Sequence, residues 1–172
     1  DDILHLTKLA ILEYLTSGIT AAFDMYLHRD AVAQAAVETG FRTVIVNATN
    51  DFGGTPEEQL MECERFSSMG PLVSYQYGIH AEYTTSLPLL KDMASLMQTV
   101  KKPFWSHMNE TAAEVEGCVE RHGKRPFELL ASLGLFDYGG GGYHCVHVSA
   151  SEMEIMRACG LTAVTCPASN LK

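Results

Sequence analysis

One unit repeats along the chain. A run of mostly apolar or β-branched residues gives way to a few polar ones, then to a helical pattern, and then the next run begins. The runs are ITAAFDM, RTVIVNA, LVSYQYGI, KPFWSHM, YHCVHV and LTAVTC. Gly18, Gly40, Gly70 and Gly160 stand before four of them, where a helix would close on a residue at positive φ. Helix starts are marked as well. Thr55-Pro56-Glu57-Glu58 offers an N-cap, a proline at the first helical position and a carboxylate behind it, and Thr111 to Glu114 and Ser149 to Glu152 repeat the capping-box spacing. Leu87, Leu90, Met93, Ala94 and Met97 are spaced for one face of a helix.

Strands alternating with helices predict parallel strands joined by right-handed crossovers. RTVIVNA and LTAVTC are apolar on both faces, as strands covered on both sides require. A (β/α) barrel and an open doubly wound sheet both fit this pattern. The run ends favour the barrel. Asp24, Tyr26 and His28, Asn47 and Asn50, His80 and Glu82, His107 and Glu110, His144, and Ser169 and Asn170 put polar groups at nearly every one. An open sheet needs such tips only at its switch point, whereas a barrel gathers all of them at one mouth. Six strands are legible, and a closed barrel of this type has eight. The expectation is one domain over residues 1–172. The run DYGGGG, Asp137 to Gly142, reads as a mobile loop.

Composition narrows the function. At 172 residues, 47% hydrophobic and 19% charged, the chain has an ordinary globular balance and enough length for a sizeable core. A formal net charge of -9 argues against nucleic acid as a partner, because phosphates would be repelled. No apolar run reaches the ~18–20 residues that span a bilayer, so no membrane partner is expected. No charged and apolar leader opens the chain, and the five cysteines form no CxxC. Reduced thiols and a cytoplasmic location are the expectation.

The chemistry concentrates in PFWSHMNETAAEVE, Pro103 to Glu116. Alternation puts Trp105 and His107 on one strand face, and Glu110 follows just before the Thr111 cap. A histidine and a carboxylate at such a junction suit a metal ligand with a nearby general acid/base. They also suit a hydrogen-bonded core histidine and a carboxylate facing a helix N-terminus. In HCVHV, alternation places His144 and Val146 together and leaves His147 to pack against outer helices. His80 ends its run in the same way. His5 and His122 fall in helical or loop stretches and are expected in solvent.

The segments SGITAAFDMYLH, WSHMNETAAEVE, HCVHVSASE and CPASNLK together resemble the cytosolic branch of the amidohydrolase superfamily. Its members include S-adenosylhomocysteine and methylthioadenosine deaminases, guanine deaminases and triazine chlorohydrolases. The resemblance runs over nearly the whole chain, in the family's order. It implies a TIM-type (β/α)8 barrel, of which strands two to seven are present, and one catalytic divalent metal. Zinc is the first candidate, with iron or manganese as alternatives. It also implies His107 as metal ligand, and Glu110 as proton carrier bonded to a substrate ring nitrogen. His144 would orient the attacking water or contact the reacting carbon's substituent, and His80 would be a substrate contact. The family's His-x-His pair and its last-strand aspartate have no counterpart here, so the chain reads as a middle fragment. Asn47 and Thr55 stand where the S-adenosylhomocysteine deaminases carry substrate-gripping arginines, which are not interchangeable with amide or hydroxyl.

The function implied for the parent protein is hydrolytic deamination of a small purine- or pyrimidine-like amino heterocycle. Dechlorination or amide hydrolysis on the same site, a non-catalytic binding module and a homo-oligomer are the alternatives carried forward.

Overall fold

The computed structural model describes residues 2–171. Lys172, the last residue of the CPASNLK motif, lies outside the described residues. Six parallel strands alternate with helices, as the repeating unit predicts. The fold class is a partial TIM-type (β/α) barrel. The chain divides into two compact units, residues 2–48 with 57–76 and residues 49–56 with 77–171. The strand β3, Val73–Ala81, gives its first half to one unit and its second half to the other.

The first unit holds α1 (Asp2–Thr16), β1 (Ala21–Asp24), α2 (Arg29–Thr39), β2 (Arg42–Val46), most of α3 (Pro56–Ser67) and the start of β3. Its strands run in the order β1-β2-β3, with Phe23 beside Val44 and Ile45 beside Tyr75. The alanines of α2 let it sit close, so Ala33, Ala35 and Ala36 are fully buried, and Gly40 at φ 71 ends the helix by accepting a left-handed turn. Ile11, Ala35 and Phe41 form a small core with Leu4 and Ala22.

The second unit continues β3 and adds α4 (Leu87–Val100), β4 (Phe104–Met108), α5 (Ala112–His122), α6 (Pro126–Ser132), β5 (Gly140–His144), α7 (Ala150–Ala158), β6 (Leu161–Val164) and α8 (Pro167–Asn170). Its strands follow in the order β3-β4-β5-β6. Neither unit reverses its strand order, so neither contains the switch point that defines a doubly wound sheet. On α4, Leu90, Met93, Ala94 and Met97 are buried, as their spacing predicts. Thr111 caps α5 by accepting from Glu114 N, and Ser149 with Glu152 closes a full capping box on α7. Helix α6, which no sequence signal had marked, packs Phe127 against Phe136.

Three expectations are corrected here. The glycine run is not a loop, because Gly140, Gly141 and Gly142 are buried residues of β5. A Cβ at Gly140 would lie 1.9 Å from Phe104 O, and one at Gly141 would lie 1.9 Å from Thr162 O. Glycine is therefore what lets β5 fit between its neighbours. Nor does YHCVHV run on as a strand. His144 and Cys145 have φ of 70 and 54, which turns the chain out of the ladder. Alternation stops there, and Val146 and His147 are exposed instead of packing inward and outward. Finally, His122 is not solvated. Its Nε2 lies 3.0 Å from Glu82 Oε1, and its side chain is mostly buried. Among the described residues no helix is long and apolar enough to cross a membrane.

Candidate active site

The ends of β3, β4 and β5 in the second unit bring three imidazoles into a row. The ring centroids of His80 and His107 are 5.0 Å apart, and those of His107 and His144 are 5.4 Å apart. Glu110, past the end of β4, sets Oε2 3.5 Å from His144 Nε2. His80, His107, Glu110 and His144, the four residues singled out by motif, therefore meet in one place.

Hydrogen bonding fixes what each ring presents. His107 Nδ1 lies 2.7 Å from His80 O. A carbonyl only accepts, so Nδ1 carries the hydrogen and Nε2 keeps its lone pair. Thr84 Oγ1 donates its hydrogen to Ala81 O, so it accepts from His80 Nδ1 at 2.9 Å. His144 Nδ1 lies 2.8 Å from Asn170 Oδ1, an amide oxygen that accepts. Each ring has thus committed Nδ1 to an acceptor, which orients it and frees Nε2 for a ligand.

Electrostatics support the same reading for His107. Burial holds its pKa below the usual histidine value. The bond to His80 O opposes this, and the His80 and His144 charges add to it. The neutral imidazole that results is the form a metal requires. Burial likewise lowers His80, with Glu110 opposing. Cys145, beside the row, is not a nucleophile: burial first, then the Glu114 and Glu152 charges, push its thiol up to about 12.

A second set of groups holds these side chains in place. Glu114 Oε1 and Oε2 accept from Asn109 N at 2.9 Å and Glu110 N at 2.8 Å. Glu82, expected as a functional strand tip, is instead an internal anchor. It is almost fully buried, and it accepts from Arg121 Nε at 3.1 Å and Nη2 at 2.5 Å and pairs with His122. Asn50 Oδ1 is likewise structural, accepting from Phe52 N at 2.8 Å.

The polar tips of the first unit form their own cluster. Burial raises the pKa of Asp24, at the end of β1. Tyr26 and His28 lie with ring centroids 5.8 Å apart. Asn47 is buried and donates to Glu62 Oε2 at 2.7 Å, and Arg29 grips the same carboxylate through Nε and Nη2 at 3.0 and 2.8 Å.

His107 fits a divalent metal by tautomer and charge state. Among the described residues, no group of three or more His, Cys, Asp or Glu side chains is arranged to hold one. Asn170 is the residue whose role the sequence left unread. It counts in the sequence as a polar tip and as part of CPASNLK, neither of which names His144 as its partner.

A parallel βα repeat with histidine and carboxylate at its strand ends has polar groups where barrel enzymes place their chemistry. The chain belongs to the amidohydrolase family, whose model matches residues 2–172. It is 37% identical over 174 residues to a 5'-deoxyadenosine deaminase of Methanococcus maripaludis, covering 96% of this chain and 41% of that protein. It is 33% identical to a 5-methylthioadenosine/S-adenosylhomocysteine deaminase of Caldicellulosiruptor saccharolyticus, covering 99% of this chain and 40% of that protein. A crystal structure of an adenosine deaminase from Xanthomonas campestris with bound zinc superposes with a TM-score of 0.86 at 28% identity, covering 96% of this chain and 39% of that one. The chain thus spans about two-fifths of the length of the relatives it matches.

Proposed function

We propose that this chain is the part of a longer amidohydrolase that carries its proton-transfer and substrate-contact groups, and that the parent hydrolytically deaminates an aminopurine-like heterocycle. The observation that carries the reading is the row of three imidazoles with Nδ1 committed and Nε2 free, flanked by Glu110. Relatives named as deaminases of 5'-deoxyadenosine and of methylthioadenosine or S-adenosylhomocysteine support the substrate class.

His107 Nε2 is the proposed metal ligand on this chain, and a zinc-bound neighbour favours zinc over iron or manganese. A bound divalent metal supplies a water acidic enough to attack at neutral pH. Catalytic zinc sites normally use three protein ligands, so the rest are proposed to lie in parts of the parent outside this chain. Glu110 takes a proton from the attacking water and gives it to the substrate's ring nitrogen, then takes the remaining hydroxyl proton and passes it to the leaving amine as the carbon–nitrogen bond breaks. His144, oriented by Asn170, faces Glu110 and contacts the oxygen or amine at the reacting carbon. His80, held by Thr84, contacts the substrate on the other side of His107. Ammonia leaves and a ring carbonyl remains.

The test is ammonia release by the full-length parent, loaded with zinc, over a panel of aminopurines and aminopyrimidines. Glu110→Gln keeps the shape and removes the proton carrier. It is expected to retain metal and to lose roughly 10²–10⁴-fold in turnover, the usual size of a general acid/base effect. Equal turnover by wild type and variant would overturn the role given to Glu110.

A further inference from the structure

Asn109 stands between the proposed ligand His107 and the proposed proton carrier Glu110. It is fully buried, and its φ is 52. Two carboxylates grip the turn it makes. Glu114 binds its backbone, as described above. Glu152, also fully buried, takes Asn109 Nδ2 at 2.9 and 3.0 Å from its two oxygens. The same carboxylate accepts from Arg125 Nε at 2.7 Å, Ser149 N at 3.0 Å and Phe127 N at 3.2 Å. Burial pushes the Glu152 carboxyl up, but the bonds from Ser149, Asn109 and Arg125 outweigh it and hold the group below the usual carboxylate range. Glu152 is therefore a charged hub joining the end of β4, the start of α6 and the start of α7.

The hub also reaches the segment that follows His144. Asn109 O accepts from His147 N at 2.9 Å, and Asn109 Nδ2 comes within 3.3 Å of His147 O, which also accepts from Arg125 Nη2 at 2.6 Å. Met108 O accepts from Cys145 N at 3.0 Å. His144 and Cys145 are both left-handed, so the ladder between β4 and β5 does not set the direction of the chain beyond them. The stitch to Asn109 does. Few side chains can serve at this position. Asn, Asp and Gly tolerate the backbone, but Asp would set a second carboxylate against Glu152, and Gly has nothing to donate.

We propose that Asn109, anchored by Glu152, is a positioning residue that holds Glu110 against His144 across the ends of β4 and β5. Asn109 touches no reacting atom. The proposal rests on the deaminase reading for the roles of Glu110 and His144, but its geometric half stands apart from it.

The test uses the full-length polypeptide with zinc bound. Asn109→Gly keeps the left-handed backbone and removes the amide. Crystal structures of wild type and variant report the separation of Glu110 Oε2 and His144 Nε2, which should lengthen by about 1 Å or more. A displacement of that size at a reacting group costs up to about 10²-fold in rate, so kcat should fall roughly 10–100-fold while KM and metal content stay within about twofold. Glu152→Asp, which keeps the charge but draws it back from Asn109, should move both readouts the same way, and it decides the matter if Asn109→Gly does not fold. An unchanged separation, or an unchanged kcat with a lengthened separation, overturns the proposal. A wild-type parent without deaminase activity would instead refute the deaminase reading, and the crystallographic distance would still decide whether Asn109 positions Glu110.

Discussion

Gly141→Ala is the sharpest probe of the strand that carries His144. The added methyl would sit 1.9 Å from Thr162 O and 2.8 Å from Trp105 Cζ3. A carbon and a carbonyl oxygen approach no closer than roughly 3.3 Å even in the short contacts seen between strands. The overlap of about 1.4 Å is with backbone, so no rotamer change relieves it. Either β6 moves away or β5 does. The first breaks the pairing of Gly140, Gly141, Gly142 and Tyr143 with Leu161, Thr162, Ala163 and Val164. Losing two or three ladder bonds at about 1 kcal/mol each, with an overpacking cost of about 1–3 kcal/mol, gives a destabilisation of roughly 3–6 kcal/mol.

The assay is urea unfolding. Trp105 is the only tryptophan and pairs with Gly141 across β4 and β5, so its fluorescence reports the perturbed place directly. Gly53→Ala is the control, since nothing lies within 4 Å of a Cβ there and its φ is ordinary. At ~2–4 °C per kcal/mol for a chain of this size, Gly141→Ala should lower Tm by roughly 6–24 °C. The control should stay near wild type. If Gly141→Ala unfolds at the same urea concentration as Gly53→Ala, then β5 is not wedged between β4 and β6, and the placement of His144 beside His107 fails with it.

Glu152→Gln should cost roughly 3 kcal/mol at pH 7, because an amide cannot accept from all the donors that converge on a buried carboxylate. The gap in urea midpoint between wild type and variant should hold above the ordinary carboxylate pKa of about 4.5 and shrink as pH falls below it. The unfolded chain takes up that proton first, whereas the folded group, whose pKa is depressed, resists. A gap that widens on acidification would contradict the assignment of Glu152 as a stabilising anion. The 172-residue chain alone should bind zinc weakly and release no ammonia, since no three ligand-type side chains among its described residues are arranged to hold a metal. Tight zinc binding by calorimetry, or robust turnover, would show that its ligand set is complete.

The fold was legible wherever local rules dominated. The βα alternation, the α4 stripe at Leu90, Met93 and Met97, and the caps at Thr111 and Ser149 all follow from periodicity and capping chemistry within a few residues. The failures share a cause in distant neighbours. Four glycines look like a loop in isolation, and only Phe104 O and Thr162 O on the adjacent strands explain why three of them, Gly140 to Gly142, are in a strand. Helix α6 has seven residues, too few to show a period, and its burial comes from Phe136 farther along. His122 looks solvated, and Glu82 looks like a functional strand tip, until the chain brings them together across 40 residues.

Within the site, the reactive groups could be read from sequence and their supports could not. His80, His107 and His144 announce themselves because an imidazole at a strand end has few bland uses when it recurs three times. What orients them is different in kind. His107 is oriented by a backbone carbonyl, His80 by a threonine hydroxyl and His144 by Asn170, and no residue type or spacing marks the first two of these partners in advance. The alternation argument for HCVHV failed for a related reason. It assumed extended backbone, and the two left-handed residues at His144 and Cys145 suspend it at the point where chemistry is proposed. Left-handed non-glycine residues cost about 1–2 kcal/mol each, and they persist where surrounding bonds over-determine them. Asn109, His144 and Cys145 meet that condition through Glu114, Glu152, Asn170 and Met108 O. Strain at the ends of β4 and β5 is therefore held by the same groups that aim Glu110 at His144. A substitution that relieved the strain without keeping those bonds would gain about 1–2 kcal/mol, lose more by leaving buried groups unpaired, and no longer hold Glu110 against His144.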